Sequence, residues 1–242
     1  RPSMSESIAH QPHAHAEVLT GPDAEQELSG MGLAVAPLSR ACVEGLRTAV
    51  NQHSSFEPNI ALGFSIWAKI VGSLRTLLDE RGGRSHDTAN APRSVNPDGT
   101  MAIAAIGGDE STACASSDPS NAHARRKGST FDAEVKNNGE GSSAPGFTQP
   151  CLDLALGDLG DDGTRSNGLR TWMLLYFWDR RADELRLELS LPIACEDGVV
   201  TRWKTRIILP AQDLSSHDDL RSNDDVPSPP AQDVDFEITA IS

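Results

Sequence analysis

Aromatic residues are scarce in this 242-residue chain, at 5% of positions, with four tryptophans and a single tyrosine. A core with so few rings must rest on aliphatic packing, so any local concentration of rings is informative. Cysteine is sparse too: Cys42, Cys114, Cys151 and Cys195 never approach a CxxC spacing. That excludes the usual zinc fingers and ribbons, and the wide spacing points to reduced thiols and a cytoplasmic location. Positive charge is also short. Against 35 Asp and Glu stand 21 Lys and Arg, for a formal net charge of −14. This argues against broad, charge-driven binding to nucleic acid or anionic membranes. No run reaches the length and apolarity expected of a membrane span, and no apolar block of a secretory signal opens the chain. The expectation is a soluble, acidic, cytoplasmic protein with no membrane partner.

Catalytic signatures are missing as well. Neither GxxxxGK[ST] nor a strand-borne GxGxxG occurs, which removes the common phosphate-cradling loops. There is no GxSxG elbow and no HExxH. Gly139-Glu140-Gly141-Ser142-Ser143 has glycines but sits in polar sequence without a flanking strand.

What is present is concentrated. Trp172-Met173-Leu174-Leu175-Tyr176-Phe177-Trp178 holds two tryptophans and the only tyrosine, and reads as a strand buried on both faces. Two further strands follow. Over Glu184–Pro192, Leu185, Leu187, Leu189 and Leu191 alternate with Glu184, Arg186, Glu188 and Ser190. Over Val199–Pro210, Trp203, Thr205, Ile207 and Leu209 alternate with Arg202, Lys204 and Arg206. Glu196-Asp197-Gly198 supplies the turn between them. Counting from that turn sets Glu188 opposite Arg206 and Ser190 opposite Lys204. The resulting sheet has one leucine-rich face and one solvated face of alternating charge.

Upstream, Leu38, Cys42, Leu46 and Val50 recur at four-residue spacing and predict a helix from Pro37 to Gln52. A second helix is expected over Ile60–Arg81, where Ile60, Phe64, Trp67, Val71, Leu74 and Leu78 form a core stripe flanked by Ile66, Ile70 and Leu77. Residues 84–98 read as a loop, and 100–106 as a short buried strand after the turn Asn96-Pro97-Asp98-Gly99. Residues 1–30 read as a disordered tail. A single domain over 31–210 contains a long polar loop, 109–150, with one short helix near Asp132–Asn137. Residues 211–233 read as an acidic linker and 234–242 as a candidate edge strand. Residues 211–242 alone carry eight acids against Arg221, half of the net charge.

One pattern touches known chemistry. Pro97-Asp98 followed by Glu134-Val135-Lys136 resembles the PD-(D/E)xK motif of metal-dependent nucleases. That resemblance implies Asp98 and Glu134 as ligands of Mg²⁺, with Lys136 positioning the attacking water. Asp109, just after a strand, is a further candidate metal ligand. Arg186, Arg202, Lys204 and Arg206 form a candidate binding surface for an acidic ligand.

The expected fold is α+β: two N-terminal helices packed on an antiparallel β-meander of four to five strands. The expected function is a non-enzymatic protein-interaction or regulatory module with a protein partner and no cofactor. The competing expectation is a metal-dependent hydrolase, a nuclease bound to nucleic acid and Mg²⁺.

Overall fold

A computed structural model describes residues 15–58, 60–88, 91–122, 124, 128–139 and 169–215. Within them the α+β class holds, but the sheet is larger than expected and mixed in direction. In chain order the elements are β1 (Glu17–Leu19), α1 (Gly21–Gly30), α2 (Val35–Gln52), α3 (Ala61–Asp79), β2 (Arg84–Thr88), β3 (Ala91–Val95), β4 (Met101–Gly107), α4 (Ser129–Gly139), β5 (Arg170–Asp179), β6 (Glu184–Glu196), β7 (Val199–Ile208) and β8 (Gln212–Asp213). The eight strands form one sheet in the order β1-β7-β6-β5-β4-β3-β2, with β8 added to β6. Of the expected four- to five-stranded antiparallel meander, three strands are present, as β5-β6-β7. They are extended by the β2-β3-β4 meander, which joins them through a parallel β4–β5 pair, and by a parallel β1–β7 pair.

The parallel pair explains why the polar stretch after residue 108 is not a bare loop. Parallel neighbours need a long crossover, usually carrying a helix, and α4 lies on that crossover. Its Phe131 and Val135 pack with Ala104, Ile106, Met173, Leu175, Val200 and Trp203 on one face of the sheet. The opposite face carries Met101, Ile103, Ala105, Trp172, Leu174 and the β6 leucines, covered by α1, α2 and α3. The molecule is thus three layers deep, and β4 and β5 are buried on both faces as their continuous apolar sequence requires.

Three expectations are corrected. Residues 17–30 are not tail. β1 borrows its stability from β7 through Glu17↔Thr205, Val18↔Arg206 and Leu19↔Ile207, and α1 buries Ala24 and Leu28, four residues apart. Residues 84–95 are not loop but the hairpin β2–β3, a polar pair at the sheet edge where charge protects against edge-to-edge association. The buried stripe of α3 is Leu62, Ile66, Ile70, Leu74 and Leu78, whereas Phe64 is 66% exposed. By length and composition α3 also meets the requirement for a bilayer span, contrary to the sequence expectation, while this stripe serves the core. The expected edge strand 234–242 and most of the acidic linker lie outside the described residues.

Candidate functional site

Strand alternation in β7 fails at one place, next to a buried polar cluster. Pro192 cannot donate to the ladder, and the β6–β7 register shifts between Leu191 and Pro192 and again before Ala194. Across that irregularity Trp203 packs into the α4 layer while Ile207 stays in the opposite core. The observed pairs are Ser190↔Arg206 and Glu188↔Ile208, so the expected Glu188↔Arg206 register is displaced by two residues. The side chains meet regardless, on the diagonal. Arg206 Nε lies 3.1 Å from Glu188 Oε1 and Nη2 lies 2.7 Å from Oε2.

This pair is not on a solvated face. Glu188, Ser190 and Arg206 are each fully buried, beneath residues 108–122. Ser190 Oγ donates to Glu188 Oε1 (2.7 Å), and Ala113 N donates to Oε2 (2.7 Å). Arg206 donates further to the carbonyls of Ser117 (2.8 Å) and Cys114 (3.0 Å) and to Asp118 Oδ1 (3.2 Å). All five guanidinium donors are therefore used. Burial works against the Arg206 charge, yet the hydrogen bond and charge of Glu188 hold its pKa above the usual arginine value. Ala113 adopts a positive φ of 60° to reach Glu188, a conformation costly for a residue with a Cβ and sustained here by the surrounding bonds.

The covering segment is organised by the residue proposed from sequence as a metal ligand. Asp109 Oδ1 accepts from Ser111 N (3.0 Å), and Oδ2 accepts from Ser120 N (3.1 Å), closing the segment on itself. Asn121 then clips it to the start of β7, donating to Gly198 O (3.0 Å) and accepting from Val200 N (2.8 Å). Trp203 Nε1 donates to Pro119 O (3.1 Å). On this scaffold Cys114 Sγ sits 3.2 Å from Ser116 Oγ. Hydrogen bonds from Ser116 and then Ser117 lower its pKa to about 7.

The remaining sequence candidates are dispersed. Asp98 is exposed in the β3–β4 turn, its carboxylate close to Gly32 beyond the end of α1. Glu134 lies on α4, on the other side of the sheet, gripped by Arg93 through Nε (3.0 Å) and Nη2 (2.6 Å). Lys136 is exposed on the same helix. Among the described residues no group of three or more His, Cys, Asp and Glu gathers to hold a metal ion. Arg186 bonds Glu184 Oε1 (2.6 Å), Asp179 Oδ2 (2.8 Å) and Glu110 O (3.0 Å). Arg202 and Lys204 alone of the four basic candidates point to solvent.

A second feature escaped the sequence reading. Phe56, Ile60 and Phe64 follow at four-residue intervals through the α2–α3 connection and the first turn of α3, and are 98%, 40% and 66% exposed. Phe64 stacks at a tilt on Trp67, with ring centroids 5.4 Å apart, and Trp67 Nε1 donates to Ala105 O (3.1 Å). Phe64 is therefore linked through Trp67 to β4. The sequence signal of this exposed corner was an excess: α3 carries two apolar stripes, and a helix on one face of a sheet buries about one. No protein-family model, curated protein or solved structure matches the chain.

Proposed function

We propose that this chain is a non-enzymatic protein-interaction module whose docking surface is the corner of Phe56, Ile60 and Phe64. The observation that carries the reading is the exposure of Phe56 in the α2–α3 connection and of Ile60 and Phe64 at the start of α3. Taking about 200 Å² per aromatic ring, the three side chains together expose roughly 400 Å² of apolar surface, an amount comparable with the patches that on a monomer are often functional. The polar clusters support the same reading from the other side. Glu188, Arg206 and Asp109 spend their hydrogen bonds on holding one segment to the sheet. Glu134 is committed to Arg93. Each of these groups has a structural role that accounts for its position without catalysis. The occupant that fits is a short apolar segment of a protein.

The test is a pull-down from the native host with the full chain beside its Phe64→Asp variant, identifying both protein and nucleic acid. A stoichiometric protein retained by the parent and reduced at least tenfold by the variant supports the reading. Retention of nucleic acid by both forms, with Mg²⁺-dependent cleavage lost in Glu134→Ala, would replace it with the hydrolase.

A further inference from the structure

The same corner has a candidate occupant within the chain. α3 runs antiparallel to β4: its end at Leu78 lies beside Gly83 and Val95, and Val95 pairs with Ala102, whereas Trp67 bonds Ala105. Ile60 and Phe64 therefore lie beyond Ala105, toward the carboxyl ends of β4 and β5. The β5–β6 turn, 180–183, is at this end. The last described residues are fastened to it, through β8 on Glu184 and Leu185 and through Leu214 N donating to Asp183 O (2.7 Å). The last described residues thus stand at the end of the sheet that carries the exposed corner. Two strand spacings, roughly 10 Å, separate β6 from β4.

Beyond Ser215 the sequence runs 18 residues to Asp233 and then reads Val234-Asp235-Phe236-Glu237-Ile238. Eighteen residues span at most about 60 Å, so reach does not limit contact, and a tether of this length gives an effective concentration on the order of millimolar. The chemistry is complementary on two counts. Val234, Phe236 and Ile238 offer apolar side chains to Phe56, Ile60 and Phe64. Asp235 and Glu237 offer negative charge to the N-terminus of α3, which has no side-chain cap and carries the positive end of a 19-residue helix dipole. Size discriminates among occupants. About 400 Å² is half of the roughly 800 Å² per partner that a stable complex buries, so the corner suits a short segment better than a second copy.

We propose that residues 234–241 dock on the corner of Phe56, Ile60 and Phe64, so that the module is self-occupied until a partner displaces its own tail. This rests on the corner being the docking surface, and its test separates the two ideas. Hydrogen exchange over residues 56–68 would be compared in the full chain and in a full-length Phe236→Asp/Ile238→Asp variant. A labelled peptide of residues 230–242 would be titrated into both. Docking requires at least tenfold faster exchange in the variant. It also requires peptide binding that is tenfold tighter to the variant than to the parent and is lost on adding Phe64→Asp. Equal exchange, equal peptide affinity or no peptide binding overturns it. So does concentration-dependent dimerisation abolished by Phe64→Asp, which would assign the corner to a second copy. Partner capture that is sensitive to Phe64→Asp but not strengthened in the tail variant would retain the module and discard self-occupancy.

Discussion

At the scale of single residues, the buried ion pair of Glu188 and Arg206 shows how charge is tolerated in this core. Two fully buried charges lose several kcal/mol each of hydration, and their attraction compensates only when every remaining hydrogen bond is made. Here Ser190, Ala113, Cys114, Ser117 and Asp118 supply those bonds. The cluster is therefore asymmetric toward mutation. Glu188→Ala leaves the buried guanidinium with only the exposed Asp118 as a charge partner and releases the Ala113 amide, and should cost about 3–5 kcal/mol in urea unfolding. Glu188→Leu with Arg206→Met removes both charges and should recover more than half of that loss. A double variant as unstable as Glu188→Ala would show that the bonds to the covering segment, not the charge pair, carry the energy.

Among the elements, the α2–α3 pair is set by a glycine. A Cβ on Gly45 would fall 2.7 Å from the backbone N and Cα of Ile70, with no flexible side chain to give way, whereas one on Gly63 would meet nothing within 4 Å. Gly45→Ala should force the helices apart and cost about 1–3 kcal/mol or more. Gly63→Ala should stabilise by about 0.5–1 kcal/mol through helix propensity. Equal effects in thermal unfolding would remove the close approach as the determinant of this packing. Elements like these also show what the sequence makes legible. Both long helices, β4 and the β5-β6-β7 meander follow from periodicity, because a packed face imposes its period directly. β1, α1 and the β2–β3 hairpin did not, since each is short, polar and stabilised by a neighbour distant in sequence. Arg206 lies on the face expected of it but under residues 108–122, a cover distant in sequence, and it is the face of Trp203 that was misread. Alternation is a local rule, and the irregularity at Pro192 resets it. Ile60 and Phe64 were misread as core because a four-residue stripe marks an apolar face without saying whether anything covers it.

For the whole molecule, the central fact is that two hydrophobic layers share one sheet. β4 and β5 place Ile103, Ala105, Trp172 and Leu174 in one layer, and Ala104, Ile106, Met173 and Leu175 in the other. Neither layer can be lost while the shared strands remain in place, so the described fold should open as one cooperative unit. The thiols report on this. Cys42 is fully buried and burial pushes its pKa up to about 12, while Cys114 has its pKa drawn down to about 7 by Ser116 and Ser117. Since the thiolate is the nucleophile, alkylation of Cys114 in a Cys151→Ser background should accelerate as pH rises through about 7. Ser116→Ala should move that midpoint upward. Cys42 should react only through global opening. Leu46→Ala in its own layer and Phe131→Ala in the opposite layer each create a cavity worth about 2–5 kcal/mol. Both should speed Cys42 labelling by about tenfold per 1.4 kcal/mol lost, although Phe131 lies across the sheet from it. Faster labelling with Leu46→Ala alone would mean that the α4 layer opens independently, and that the sheet does not unite the two faces.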